Sequence, residues 1–149
     1  MRMKSFLRKI AGKITVLAKI DSSPQKIAGS VALGTFVGSF PITGFQNLTA
    51  IFLSVILRLN KVGSILSLEM YSNPLTLPFI CYVDLRIGYF LFGLRPEFSR
   101  LADFKNLNWE FISQTAKILF AGSTVLGIVA AVLSYFATLK FITVRRRRK

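Results

Sequence analysis

Two apolar stretches of this chain are each interrupted midway by proline and small polar residues. The first reads IAGSVALGTFVGSF, PITGFQN and LTAIFLSVIL over residues 27–57. The second reads SILSLEMY, SNPLTLP and FICYVDLRIGYFLFG over residues 64–93. A third, Ile118 to Leu139, is uninterrupted: 22 residues without a charge, bracketed by Lys117 and Lys140. As a helix it reaches about 33 Å, enough to cross a hydrocarbon core of ~30 Å. The pattern predicts an all-α polytopic membrane protein with proline-broken or re-entrant helices and one regular C-terminal transmembrane helix. Backbone left unpaired in lipid is costly, so irregular segments there must be buried in protein or line a cavity. Corresponding interruptions in two halves point to a binding site at the bilayer midplane.

The residues at the breaks sharpen this expectation. Pro41 stops a helix because it has no N–H and its ring clashes with the preceding turn. Thr43 and Gln46 have the spacing of a capping box, which restarts a helix near Gly44. Glu at position 46 preserves such a box. In the second unit Asn73 precedes Pro74 as a cap precedes proline at the first helical position. Pro78 then delays regular helix and leaves 73–77 extended. Ser23 and Pro24 start the first unit in the same cap-then-proline way. Ser30, Gly34 and Gly38 recur every four residues and line one helix face, where small residues let another backbone approach.

Charge changes the picture at the ends. The net charge is +14, concentrated in residues 1–26 and in the RRRRK tail. Residues 1–22 form a basic amphipathic helix suited to the headgroup plane, with Phe6, Leu7, Ile10, Ile14 and Leu17 on one face. The membrane domain is then 23–140, with broken units 24–58 and 62–93, a polar loop 94–117 and the span 118–139. A basic tail, 141–149, completes it. Basic flanks attract anionic lipid and mark the cytoplasmic side. Two cytoplasmic ends require an even number of crossings. The basic turn at Arg58, Asn60 and Lys61 makes 27–57 the re-entrant hairpin and leaves the second unit to cross.

Ser23, Pro24, Ile27, Ala28, Ala32, Gly34, Phe36, Gly38, Pro41, Gly44 and Gln46, followed by Arg58 and Asn60 and by Ser72, Asn73, Pro74, Leu75, Thr76 and Pro78, resemble the bacterial domain-of-unknown-function family 2062. Gly88 and the hydrophobic, basic-ended C-terminus also fit, so the resemblance covers roughly residues 23–140. The chain departs from the pattern at Ser30, Asn47, Glu69 and Asp84. The resemblance implies a small bacterial inner-membrane protein and no particular reaction.

The chemistry available is narrow. The chain has no histidine and one cysteine, Cys81, which leaves no zinc-type ligand set and no internal disulfide. No nucleophile–base pair or phosphate-binding glycine loop is present, so the expectation is a protein without enzymatic activity, cofactor or metal. RRRRK is too short, and without aromatic partners, for a nucleic-acid interface. Helices that restart after a break present free N–H groups and a positive dipole end, which bind anions. The expected ligand site is therefore Thr43, Gln46, Asn47, Asn73 and Thr76, with Arg86 lining a path beside it. Glu69 and Asp84 are further ionisable residues in apolar surroundings. The expected function is binding or translocation of an anionic lipid headgroup, a phospholipid or polyprenyl phosphate. The alternative is a scaffold or accessory subunit docking a partner membrane protein or a second copy through the small-residue stripe.

Overall fold

The structure is a computed structural model that describes residues 22–41, 44–95 and 108–147. The expected N-terminal amphipathic helix and Thr43 lie outside the described residues. Within them the chain is all-helical: α1 (Pro24–Ser39), α2 (Gln46–Ile56), α3 (Lys61–Tyr71), α4 (Leu77–Leu91) and α5 (Trp109–Arg147). Among the described residues one helix, over Trp109–Val144, is long and apolar enough to cross a membrane.

α5 outruns the apolar segment that predicts it. At 39 residues it is about 58 Å long, taking in part of the expected polar loop and of the basic tail. Lys117, Lys140 and the terminal arginines do not stop it, because these residues carry good helix propensity and neither proline nor glycine intervenes at its ends.

The starts and stops repeat between the two broken units. Ser23 caps α1 by accepting from the Lys26 N–H, and Asn60 caps α3 by accepting from the Gly63 N–H at 3.1 Å. α2 and α4 end alike. The Leu59 N–H donates to the Ser54 carbonyl and the Leu94 N–H to the Tyr89 carbonyl, across Arg58 (φ 51°) and Gly93 (φ 63°). These are Schellman closures, in which one left-handed residue frees the next N–H to reach back over the last turn.

The two units nevertheless take different global paths. α1 runs antiparallel to α5: Ile27 packs on Ile142, and Phe36 and Ser39 meet Gly127. α2 folds back along α1, bringing Leu59 beside Gly29. α3 starts where Asn60 donates its N–H to Ser30 Oγ and then runs parallel to α1, with Gly34 against Ser64 and Ser67. α4 continues past the end of α1 and lies antiparallel against α5, with Gly88 on Ile118 and Gly122 on Asp84. Thus α1 and α2 form a hairpin, whereas α3, packed on α1, and α4, packed on α5, advance in one direction.

Small polar residues share the interior with apolar ones, and many large apolar residues lie outside. Ser30, Ser39, Ser54, Ser64 and Ser123 are essentially inaccessible, while Phe52, Leu133 and Phe136 are more than 60% exposed. Most of the buried hydroxyls bond back to carbonyls one turn earlier: Ser30 to Lys26, Ser39 to Thr35, Ser54 to Ala50 and Ser64 to Asn60. Small residues inside and bulky apolar residues outside are what close helix packing in lipid favours.

Candidate functional site

Both breaks arrive at one place. α1 stops at Phe40 and Pro41, α3 at Ser72 and Asn73, and the parallel course of the two helices sets these ends side by side. Gln46, the first residue of α2, ties them together. Its Nε2 donates to the Phe40 carbonyl, and its Oε1 accepts from Ser72 Oγ at 3.1 Å. The side chain is 7% exposed, so these bonds replace water that cannot reach it. This corrects the capping-box expectation at position 46. The amide of Gln46 is committed across the two breaks, and Glu cannot reproduce its donor half.

The second break is also built differently from its prediction. Asn73 does not cap α4; Thr76 holds the N-cap position and Pro78 sits within the first turn. Residues 74–76 form a turn, not an extended segment. Asn73 accepts the Thr76 and Leu77 N–H groups through its carbonyl at 2.9 Å, and the Leu75 N–H through Oδ1 at 3.4 Å. Thr76 Oγ1 donates to the Tyr71 carbonyl at 2.6 Å and accepts the Asn73 N–H at 3.1 Å. SNPLT is therefore a closed hydrogen-bonded corner. Pro78 fits because the second helical position needs no N–H donor.

A cleft of about 400 Å³ opens where the breaks meet, lined by Gly44, Gln46, Asn47, Leu68, Glu69, Ser72, Asn73, Pro74 and Leu77. Gly44 has φ 105°, a conformation that glycine adopts without strain, and it turns the chain into α2. Phe45, at the α2 N-cap, supplies no side-chain acceptor, so the positive end of that helix faces the cleft without a cap from its own N-cap residue. At α4 the Leu77 N–H is already bonded and Pro78 has none, so the dipole contribution comes mainly from α2.

Of the predicted site residues, Gln46, Asn47 and Asn73 line the cleft and Thr76 stands behind it, locking the corner. Pro41, Gly44 and Pro74 mark the breaks themselves. Arg86 is not brought to the cleft; it is exposed on α4, more than two turns beyond Leu77. Glu69, at the end of α3, does line it. The stripe of Ser30, Gly34 and Gly38 is consumed within the molecule. Gly34 lies against Ser64 and Ser67, Gly38 against Tyr71 and Ser72, and Ser30 Oγ takes the Asn60 N–H at 2.8 Å. This last bond, which fixes the start of α3 on α1, carries no sequence signal beyond a serine at a small-residue position.

A family profile described as an uncharacterized protein conserved in bacteria, DUF2062, matches residues 7–149. The chain belongs to this family. No curated protein and no solved structure is detectably similar to it. The match takes in both breaks, both caps and α5, so the cleft of this DUF2062 protein lies wholly within the part that defines the family.

Proposed function

We propose that this DUF2062 protein is a multi-pass protein of the bacterial cytoplasmic membrane that binds, and passes between leaflets, a phosphate-bearing lipid headgroup. In this reading α3–α4 and α5 are the two crossings, both basic ends are cytoplasmic, and the α1–α2 hairpin re-enters from that side. The observation that carries the reading is the meeting of two helix breaks around one polar cleft at the level of Gly127, near the middle of the Ile118–Leu139 run. Broken backbone at membrane depth is tolerated where it lines a cavity, and substrate sites of transporters are built in this way.

The cleft chemistry suits a headgroup more than a bare anion. The α2 dipole end and the amides of Asn47 and Asn73 favour a phosphate, while the Glu69 carboxylate on the same wall accepts from a headgroup hydroxyl or ammonium. The headgroup classes are phospholipid and polyprenyl phosphate. The small-residue stripe on which the scaffold alternative rests is covered within the molecule by α3, which favours the lipid reading.

The test is reconstitution. Purified protein in liposomes is expected to equilibrate a fluorescent phospholipid between leaflets faster than protein-free liposomes, and Asn47→Asp is expected to abolish the difference. Equal rates with and without protein, together with one membrane protein co-purifying in fixed ratio, contradict the proposal.

A further inference from the structure

A second unusual group lies outside the cleft. Asp84, on α4, is 0% exposed, inside the crossing with α5. Ser123 Oγ donates to its Oδ2 at 2.7 Å, while Oδ1 is buried with no hydrogen-bond partner. No ion pair to Asp84 is present among the described residues. On its own helix the titratable and charged groups are Cys81, Tyr82, Arg86 and Tyr89, of which Arg86 is exposed. From α5, among the described elements the one packed extensively on α4, the nearest is the exposed Lys117, before the charge-free run begins. A charge buried without a counter-ion is strongly unfavourable, whereas a neutral carboxyl is tolerated in the same surroundings. A metal ion is a poor alternative. The two Asp84 carboxylate oxygens and the Ser123 hydroxyl fall well short of the shell a hard cation needs, and no cluster of metal-ligating side chains occurs among the described residues.

We propose that Asp84 is a proton-binding site whose occupancy controls the contact between α4 and α5. The geometry makes the two events one. A Cβ on Gly122 would run into the Asp84 carbonyl oxygen, and one on Gly88 into the Ile118 carbonyl oxygen, so the backbones touch and Asp84 between them is inaccessible. With the helices together, the carboxyl holds its proton. When they part, water accepts that proton and solvates the carboxylate, and Ser123 keeps its own hydroxyl hydrogen; in the closed state that hydroxyl donates to Asp84 Oδ2. Closure returns one proton from water to Asp84. Leu77, at the start of α4, forms part of the cleft wall, so motion of α4 off α5 also moves that wall. The proposal needs only the α4–α5 crossing and stands whether or not the cleft holds a lipid.

Hydrogen exchange of α4 amides in lipid nanodiscs tests it, over the mildly acidic to mildly alkaline range and after correction for intrinsic exchange rates. In the wild type, opening is expected to rise with pH, by at most about tenfold per pH unit for a single proton. In Asp84→Asn, which keeps the shape and the acceptor for Ser123, opening is expected to be pH-independent. A wild type with no pH dependence, or an identical dependence in both proteins, overturns the proposal. Infrared spectra of the wild type provide a readout that requires no stable Asp84 variant. A protonated-carboxyl stretch that shifts in Ser123→Ala is expected in the closed protein, and carboxylate bands alone would overturn the assignment.

Discussion

The glycines of this protein do unequal work, and the inequality is measurable. Gly34 and Gly122 sit where an added Cβ would strike backbone of the facing helix, whereas at Gly127 it would meet Phe36 and Ser39 side-chain atoms at 3.1–3.3 Å. Gly34→Ala and Gly122→Ala are therefore expected to destabilise by about 1–3 kcal/mol or more, the usual scale of overpacking, and Gly127→Ala by less. Thermal unfolding in nanodiscs checks the order; equal melting temperatures for the three variants contradict it. Gln46 offers a sharper case. Gln46→Ala strands the Ser72 hydroxyl and the Phe40 carbonyl, a loss of about 1–3 kcal/mol. Gln46→Glu is expected to be worse, because it sets a carboxylate oxygen against the Phe40 carbonyl. A thermal melt in which Glu matches Gln would restore the capping-box geometry that the 43–46 spacing suggests.

At the scale of elements, what was legible in the sequence were the interruptions and some of their boundaries. Ser23–Pro24 starts α1, Pro41 ends it, and α2 restarts after Gly44, all from chain-local rules of capping and proline sterics. The second break misled because Asn–Pro is the signal for a cap at Asn73, while here the turn through Thr76 competes for the same donors and wins. Thr76 Oγ1 can satisfy both the Asn73 N–H and the Tyr71 carbonyl, a pairing that depends on how the chain closes and not on spacing alone. The reach of Gln46 to Ser72 was hidden for a similar reason: it spans two units that only the parallel packing of α1 and α3 brings together. The corner predicts its own mutational pattern. Thr76→Val removes two hydrogen bonds at nearly constant shape and is expected to cost about 1–3 kcal/mol. Asn73→Ala removes only the long Leu75 contact and is expected to cost less. Denaturation that ranks Asn73→Ala as the more harmful would return the cap to Asn73.

Among the described residues α1 and α4 pack on the long α5 while α2 and α3 pack on α1, and the direction of travel of these helices is the feature sequence periodicity could not supply. Two units with matching caps and matching Schellman ends diverge because α2 finds its packing partners back along α1 and α3, around Ala50 and Leu68, whereas α4 finds Ile118 and Gly122 further along α5. The proposed orientation predicts that, in a Cys81→Ser background, a membrane-impermeant thiol reagent added outside intact cells labels Asn108→Cys and spares Asn60→Cys. The reverse pattern contradicts it. The central claim, that the paired breaks hold a lipid headgroup, is tested most directly by photo-crosslinking. A phospholipid bearing a photoreactive group on its head is incorporated into nanodiscs with the wild-type protein, and the adducts are mapped by mass spectrometry. Adducts concentrated on the peptides carrying Asn47 and Glu69–Asn73, and reduced by Asn47→Asp without loss of thermal stability, are the predicted result. Adducts confined to the exposed apolar faces, such as those of Phe52 and Leu133–Phe136, and unchanged by Asn47→Asp, would contradict it.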